Sequence, residues 1–382
     1  MSDSFPDTPT DSLSRDRIPA DAEYWLALGR LPGIGRATFL RLIEAYQSPK
    51  AAWEHDDTEW REVAGLRQSV KTRTARGEAL AWAKTQIDKL AKSPWSLMVY
   101  GSDAYPHDLS SLKHPPPYLF VRGTIPDQIG IAVVGSRRSS EYGIRAARMI
   151  AGDLAATGVV IVSGFARGID RTAHEAALDV GGKTIAVWGA GPDVIYPNEN
   201  EPLVEPIAES GALITEFPFG AAPEPENFPV RNRLIAGLSE GVLVVQAREK
   251  SGALLTAQHA LDQGKDVFAV PGEISSPHSA GANELLKAGA QVVTSADDIL
   301  SRLGMGTRPQ RPSPDSGIEL PLPHLTPVEQ RVFESLRGSA CHVDRLAVSL
   351  QMSAAECAAV LVSLQLKGVV KQAAGNMFVC AR

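Results

Sequence analysis

Between residues 95 and 303 the chain alternates short, β-branched apolar runs with longer segments of helical period. The runs cover residues 96–100, 131–134, 159–162, 184–188, 212–214, 242–245, 267–270 and 291–294. Several are apolar at every position, which predicts strands covered on both faces, as in a parallel sheet with helices on each side. The pattern predicts a doubly wound α/β domain with a mostly parallel sheet. Upstream, over 21–94, apolar positions recur with helical period. There Leu31-Pro-Gly-Ile-Gly-Arg36, followed by the apolar helical run 37–46, reads as a helix-hairpin-helix turn. Such a turn either presents backbone N–H groups to a DNA phosphate or only permits a tight helix-helix connection. The sequence leaves both open.

The remaining segments lack long apolar patterns. Residues 1–20 are Ser, Asp, Pro and Thr with little apolar content, a composition expected of a disordered tail. Residues 304–324 are rich in Gly, Pro and Ser and predict an extended linker. Over 325–382, Thr326-Pro-Val-Glu329 and Ser353-Ala-Ala-Glu356 each have the spacing of a capping box at a helix start. Gly368 closes the last helix, and 369–371 and 377–379 flank the turn Ala374-Gly-Asn376. Three helices and a hairpin predict a winged helix-turn-helix.

The length of 382 residues allows two or three domains of ordinary size. No apolar run approaches the length of a bilayer span and the N-terminus is polar and acidic, so no membrane span and a cytoplasmic location are expected. Cys341, Cys357 and Cys380 lack Cys-x-x-Cys spacing, which predicts buried free thiols and no metal site. The net charge of −6 argues against coating duplex DNA by bulk charge. It leaves room for a local basic groove. Arg137, Arg138, Arg167, Arg171, Arg231 and Arg233 fall at or near predicted turns, whereas Asp56, Asp57, Glu59, Glu199 and Glu201 fall elsewhere along the chain.

Those turns carry the candidate chemistry. The run 131–134 leads into Gly135-Ser-Arg-Arg138, and the run 159–162 into Ser163-Gly-Phe-Ala-Arg-Gly-Ile-Asp170. In an open parallel sheet such turns gather at the carboxyl ends of strands, where helix N-termini and exposed N–H groups attract anions. A third segment, Phe228-Pro-Val-Arg-Asn-Arg-Leu-Ile-Ala-Gly-Leu238, sets two arginines and an asparagine before an apolar helical run. Phe228 reads either as core or as a face on which a base stacks; stacking with phosphate contact holds single strands regardless of sequence. Asp170 and His174, four apart on one predicted helix, admit an acid–base pair. The preferred reading is that Asp170 orders the turn and His174 packs under the sheet. Ser136 and Ser163 lack the Gly-x-Ser-x-Gly pattern of a nucleophile and read as hydroxyl donors to phosphate. Neither turn is Gly-x-Gly-x-x-Gly or a P-loop, so no nucleotide cofactor is expected.

In order and spacing, Gly135-Ser-Arg137, the 163–170 turn with Ala173-His174, Tyr196-Pro197, Thr215-Glu-Phe-Pro218 and Phe228-Pro-x-Arg-Asn-Arg233 resemble the DprA (Smf) family of DNA-processing proteins. Ser251-Gly-Ala-Leu-Leu-Thr256, Val270-Pro-Gly272 and Ser279-x-Gly-x-Asn283 with Gly289-Ala290 extend the similarity, which spans 105–290. The resemblance implies a Rossmann-like domain flanked by a SAM-like helical module and a winged helix. It implies a homodimer that binds single-stranded DNA and loads the recombinase RecA onto incoming strands during natural transformation. It implies no catalysis and no cofactor. Carried over by position, the strand contacts are Gly135, Ser136, Arg137, Ser163, Gly164, Arg167, Gly168, Asn198, Phe228, Arg231, Asn232 and Arg233.

Two departures stand out. Many relatives place a basic residue after Tyr196-Pro197, where this chain has Asn198-Glu-Asn-Glu201, an expected loss of affinity. Gln246 replaces the family's usual glutamate, which weakens an enzymatic reading. The rival enzyme, a nucleotide-processing Rossmann-like protein, lacks its Pro-Gly-Gly-x-Gly-Thr turn here, since the chain has Pro271-Gly-Glu-Ile274. A third reading, a duplex-reading winged helix, needs basic and amide side chains on its third helix. Residues 354–367 are mostly alanine, leucine and valine.

Overall fold

The computed structural model describes residues 17–55, 57–64, 72–305, 325–336, 341–367, 369–373 and 377–380. Positions 1–16 of the expected tail, Asp56, 306–324 of the expected linker, and the expected features at Gly368 and 374–376 lie outside these residues. The chain divides into two compact units, Met1–Arg308 and Pro309–Arg382.

In the first unit, the described residues build a sheet of nine strands. They are β1 (Ser96–Val99), β2 (Tyr118–Gly123), β3 (Gly130–Gly135), β4 (Val160–Ser163), β5 (Thr184–Val187), β6 (Ala212–Thr215), β7 (Gly241–Gln246), β8 (Asp266–Ala269) and β9 (Gln291–Val292). Their order is β1-β2-β6-β5-β4-β3-β7-β8-β9. From β6 to β9 every pairing is parallel, while β2 pairs antiparallel with both β1 and β6. All eight apolar runs form strands. The ninth, β2, has no counterpart among them: it follows three prolines and gains its partners only from β1, before it in sequence, and β6, some ninety positions on.

The continuous apolar runs are explained by burial on both faces. In β3, Ala132 and Val134 enter one core cluster and Ile131 and Val133 the other; β7 divides likewise, with Val242 and Val244 against Leu243 and Val245. Each fully buried side chain of this kind contributes on the order of 1.5–3 kcal/mol. A third cluster joins the helical module to the sheet. Trp25, Leu26, Phe39 and Trp60 pack in one core with Leu97, Phe120, Phe165 and Trp188. The module is thus part of the first unit's core. The strand order reverses between β3 and β7, because the chain runs outward through β4, β5 and β6 before returning to β7. In open α/β sheets the crevice beyond that reversal is the ligand position.

The second unit is a winged helix. Helices Pro327–Ser335, Val343–Leu350 and Ala354–Leu366 pack with a small antiparallel sheet of β10 (Cys341–His342), β11 (Val370–Ala373) and β12 (Met377–Cys380). Val332, Phe333, Leu346, Leu361, Leu364 and Phe378 fill its core. Both expected capping boxes form, at Thr326 with Glu329 and at Ser353 with Glu356. Cys357 is buried and Cys341 half-buried, both free.

Candidate nucleic-acid interface

Turns following β3 and β7, on either side of the reversal, frame a cleft of about 600 Å³. From the β3 turn come Gly135, Ser136, Arg137 and Arg138; from the β7 turn come Arg248, Lys250 and Ser251; from the helix Asn227–Gly237 come Phe228, Arg231 and Asn232. Ser251 caps the helix Gly252–Asp262 by accepting a hydrogen bond from Ala253 N–H, and Gly252 and Ala253 also line the cleft. That helix start brings a partial positive charge to the wall. A second pocket of about 230 Å³ shares Arg137, Arg138, Tyr196 and Phe228, and adds Phe165 and Arg167.

An aromatic and guanidinium group occupies the shared wall. The Phe228 ring lies 5.9 Å from the Tyr196 ring, with Arg137 Cζ 4.7 Å from its centroid and Arg231 Cζ 5.8 Å away. Phe228 is half-buried and Tyr196 exposed. Among the described residues, Arg137, Arg138, Arg248 and Lys250 are exposed and form no ion pair with a carboxylate. The arrangement offers cations to a phosphate backbone beside rings that a base can cover.

The floor of the cleft is spent internally. Arg231 is 3 % exposed and donates to the carbonyls of Gly164 (2.6 Å) and Val187 and to Asn232 Oδ1 (3.2 Å), tying β4 to β5. Burial lowers its pKa to about 10, against the raising effect of Asp170. Asn232 donates to Gly252 O at 3.2 Å. Ser163, expected to donate to phosphate, is fully buried and donates to Val133 O at 2.6 Å. Ser136 lines the cleft, and its hydroxyl accepts from Arg138 N–H.

The turn after β4 is already occupied by an internal anion. Gly164 N–H and Ala166 N–H donate to Asp170 Oδ2 at 3.1 and 3.4 Å, so these groups, expected at a phosphate, serve a carboxylate instead. Burial pushes the Asp170 carboxyl upward, opposed by Arg231 and the two N–H groups. Gly168 has φ +73°, and a β-carbon there would lie 2.3 Å from Ser136 O, so only glycine lets the β3 and β4 turns meet. His174 is buried, bonded through Nδ1 to the Thr184 hydroxyl at 2.7 Å. Burial, with Arg231 adding to it, lowers its pKa to about 3, which leaves it neutral. Asp170 orders the turn and His174 packs inside, as the preferred reading expects. Gln246 likewise has a structural task, accepting from Ser140 N–H at 2.9 Å at the start of the helix Glu141–Ala156.

Four more arginines that the sequence offers already hold carboxylate partners within the protein. Arg233 ion-pairs with the buried Glu216 at 2.6 Å and donates to His114 O. Arg36 of the hairpin reaches the same Glu216 carboxylate at 2.9 Å, so the hairpin's first helical arginine meets an internal acid. Arg167 pairs with Glu199, and Arg171 with Glu175. The expectation that Glu199 falls away from the arginine turns is therefore corrected: the 3₁₀ helix Asn198–Leu203 folds back against the β4 turn. Asn198 is exposed at the start of that helix. The contribution of Arg248 and Lys250 was not read from the sequence. The signal lay in their position between an apolar strand and the cap Ser251.

Comparison with known proteins places these features in context. A model of the family described as DNA recombination-mediator protein A matches residues 96–304, and one of the DprA winged helix domain matches 318–376. The chain is 41 % identical over 320 residues to Protein Smf of Escherichia coli, covering 80 % of this chain and 83 % of that protein. It is 44 % identical over 202 residues to DNA processing protein DprA of Streptococcus pneumoniae, covering 52 % of this chain and 71 % of that one. The X-ray structure of the Streptococcus pneumoniae protein aligns with a TM-score of 0.65 at 33 % identity, covering 75 % of this chain and 99 % of that chain.

Proposed function

The chain belongs to the DNA recombination-mediator protein A family, and on that premise we propose that it binds single-stranded DNA along the switch-point cleft. The observation that carries this reading is the rim itself: four exposed cations, Arg137, Arg138, Arg248 and Lys250, around the paired rings of Phe228 and Tyr196. Phosphates meet the cations and bases cover the rings, so binding is strong without base-edge readout. A strand that must lie in a cleft is favoured over a stiff duplex. In the cell, the protein acts as a homodimer that holds incoming strands during natural transformation and loads RecA onto them, the assignment that family membership supports.

Titration against labelled oligo-dT and a matched duplex, at two salt concentrations, tests strand binding. Single strands are expected to bind well ahead of duplex, with a log–log salt slope of about −0.7 per phosphate neutralised. Equal affinity for the two would remove the proposal. RecA filament growth on oligo-dT, with and without the protein, tests the loading step, and light scattering tests the dimer.

A further inference from the structure

Arg167 stands at the edge of the smaller pocket, beside Arg137, Tyr196 and Phe228, yet it differs from the other rim cations in having a carboxylate already on it. Its Nε and Nη2 donate to the two oxygens of Glu199, the latter at 2.8 Å, in a two-point geometry that arginine also uses for phosphate. The backbone beneath Glu199 is held independently of that side chain. Arg171 donates to Glu199 O at 2.8 Å and to Asn200 Oδ1 at 3.3 Å, and the buried Asn200 donates to Phe165 O at 2.9 Å. The backbone under Glu199 is thus anchored within reach of Arg167 at the pocket edge, while the ion pair itself is solvent-exposed and weak. At the edge of an anion site, the pair occupies the guanidinium face that a phosphate would otherwise take.

We propose that Glu199 is an internal substitute for phosphate on Arg167, withholding that arginine from the strand and setting the affinity for single-stranded DNA below what the rim could deliver. The inference rests on the strand-binding reading above and adds to it which cation is withheld and by what. Removing the carboxylate then frees one more phosphate contact. On a single strand that adds about 0.7 to the magnitude of the salt slope and raises affinity on the order of threefold over a fourfold drop in salt.

The test is a double-mutant cycle read by oligo-dT titration at several salt concentrations on the full chain. Glu199→Gln is expected to bind more tightly with a steeper slope, Arg167→Ala to bind like the parent, and the combined variant to lose the gain. Glu201→Gln, an exposed acid on the same 3₁₀ helix, is expected to leave the slope unchanged. A gain that persists in the combined variant, or that Glu201→Gln reproduces, would show general charge removal and overturn the inference. So would Arg167→Ala binding far more weakly than the parent, because Arg167 would then already hold the strand. A parent that binds oligo-dT and a Glu199→Gln variant that binds no better would overturn this inference alone. Absence of oligo-dT binding by parent and variants would overturn the strand-binding reading together with it.

Discussion

The rim and the floor of the cleft both present arginine to the same phenylalanine, yet the two arginines do opposite things. Arg137 on the rim is exposed and unpaired, with its guanidinium 4.7 Å from the Phe228 centroid. Arg231 on the floor is buried and bonded through Nη1 to two main-chain carbonyls and through Nε to Asn232. One is available to a ligand; the other holds β4 and β5 so that the rim has something rigid to stand on. An arginine in a motif is therefore not a phosphate contact until its partners are known. The winged helix repeats the lesson: its third helix exposes Ala354, Ala355, Glu356, Ala358, Ala359 and Val362, no cation among them, although the fold often reads DNA.

The sharpest way to break the comparison is Arg231→Ala. The substitution leaves two main-chain carbonyls and Asn232 without their donor, at about 1–3 kcal/mol for each buried group left unsatisfied. Thermal unfolding should fall steeply, and DNA binding should be lost only where the fold is lost. An unchanged melting temperature with a flatter salt slope would place Arg231 on the strand. The floor also resists protonation. His174 is ordinarily half-charged near pH 6.5 and in the folded state only near about 3. Between these values the unfolded chain binds the extra proton and the native one does not. Stability is complete above pH 6.5 and falls as pH drops, by up to about 1.4 kcal/mol per unit, levelling off below pH 3. Denaturant melts of parent and His174→Phe across this window should diverge in slope.

The rim should show the reverse profile. Arg137→Ala combined with Arg248→Ala is expected to cut oligo-dT affinity about tenfold at moderate salt and to flatten the slope by roughly 1.4, two contacts of about 0.7 each. The melting temperature should stay put. A loss that is equal at all salt concentrations would mean packing was damaged instead. The smallest effect is expected from deleting residues 304–382, which should leave oligo-dT affinity unchanged within error while altering RecA loading or recruitment. A large drop in affinity with the sheet unit still folded would assign strand contact to the winged helix.

What the sequence determined by itself was the backbone framework. Unbroken β-branched runs such as 131–134, closed by a glycine, predicted strands covered on both faces, and Thr326 and Ser353 announced their helices three residues ahead of a glutamate. These signals are local, so a single strand or turn contains its own physical reason. The β3 turn of the cleft was legible for the same cause, while the β7 turn was not read. The tertiary structure alone decided which polar groups remained free. Arg231 finds its carbonyls 67 and 44 positions away, Glu199 comes back over 32 positions to Arg167, and Glu216 collects Arg36 and Arg233 from both sides of the chain. The pairing of strand β2, and the place of Arg248 and Lys250 beside the β3 turn, were fixed only when the sheet brought distant segments together. Hydrogen bonds and ion pairs form between whatever groups folding brings within about 3 Å. Charge in the sequence specifies only the supply of such groups; the packing of β3 beside β7 decides which of them a ligand can still reach.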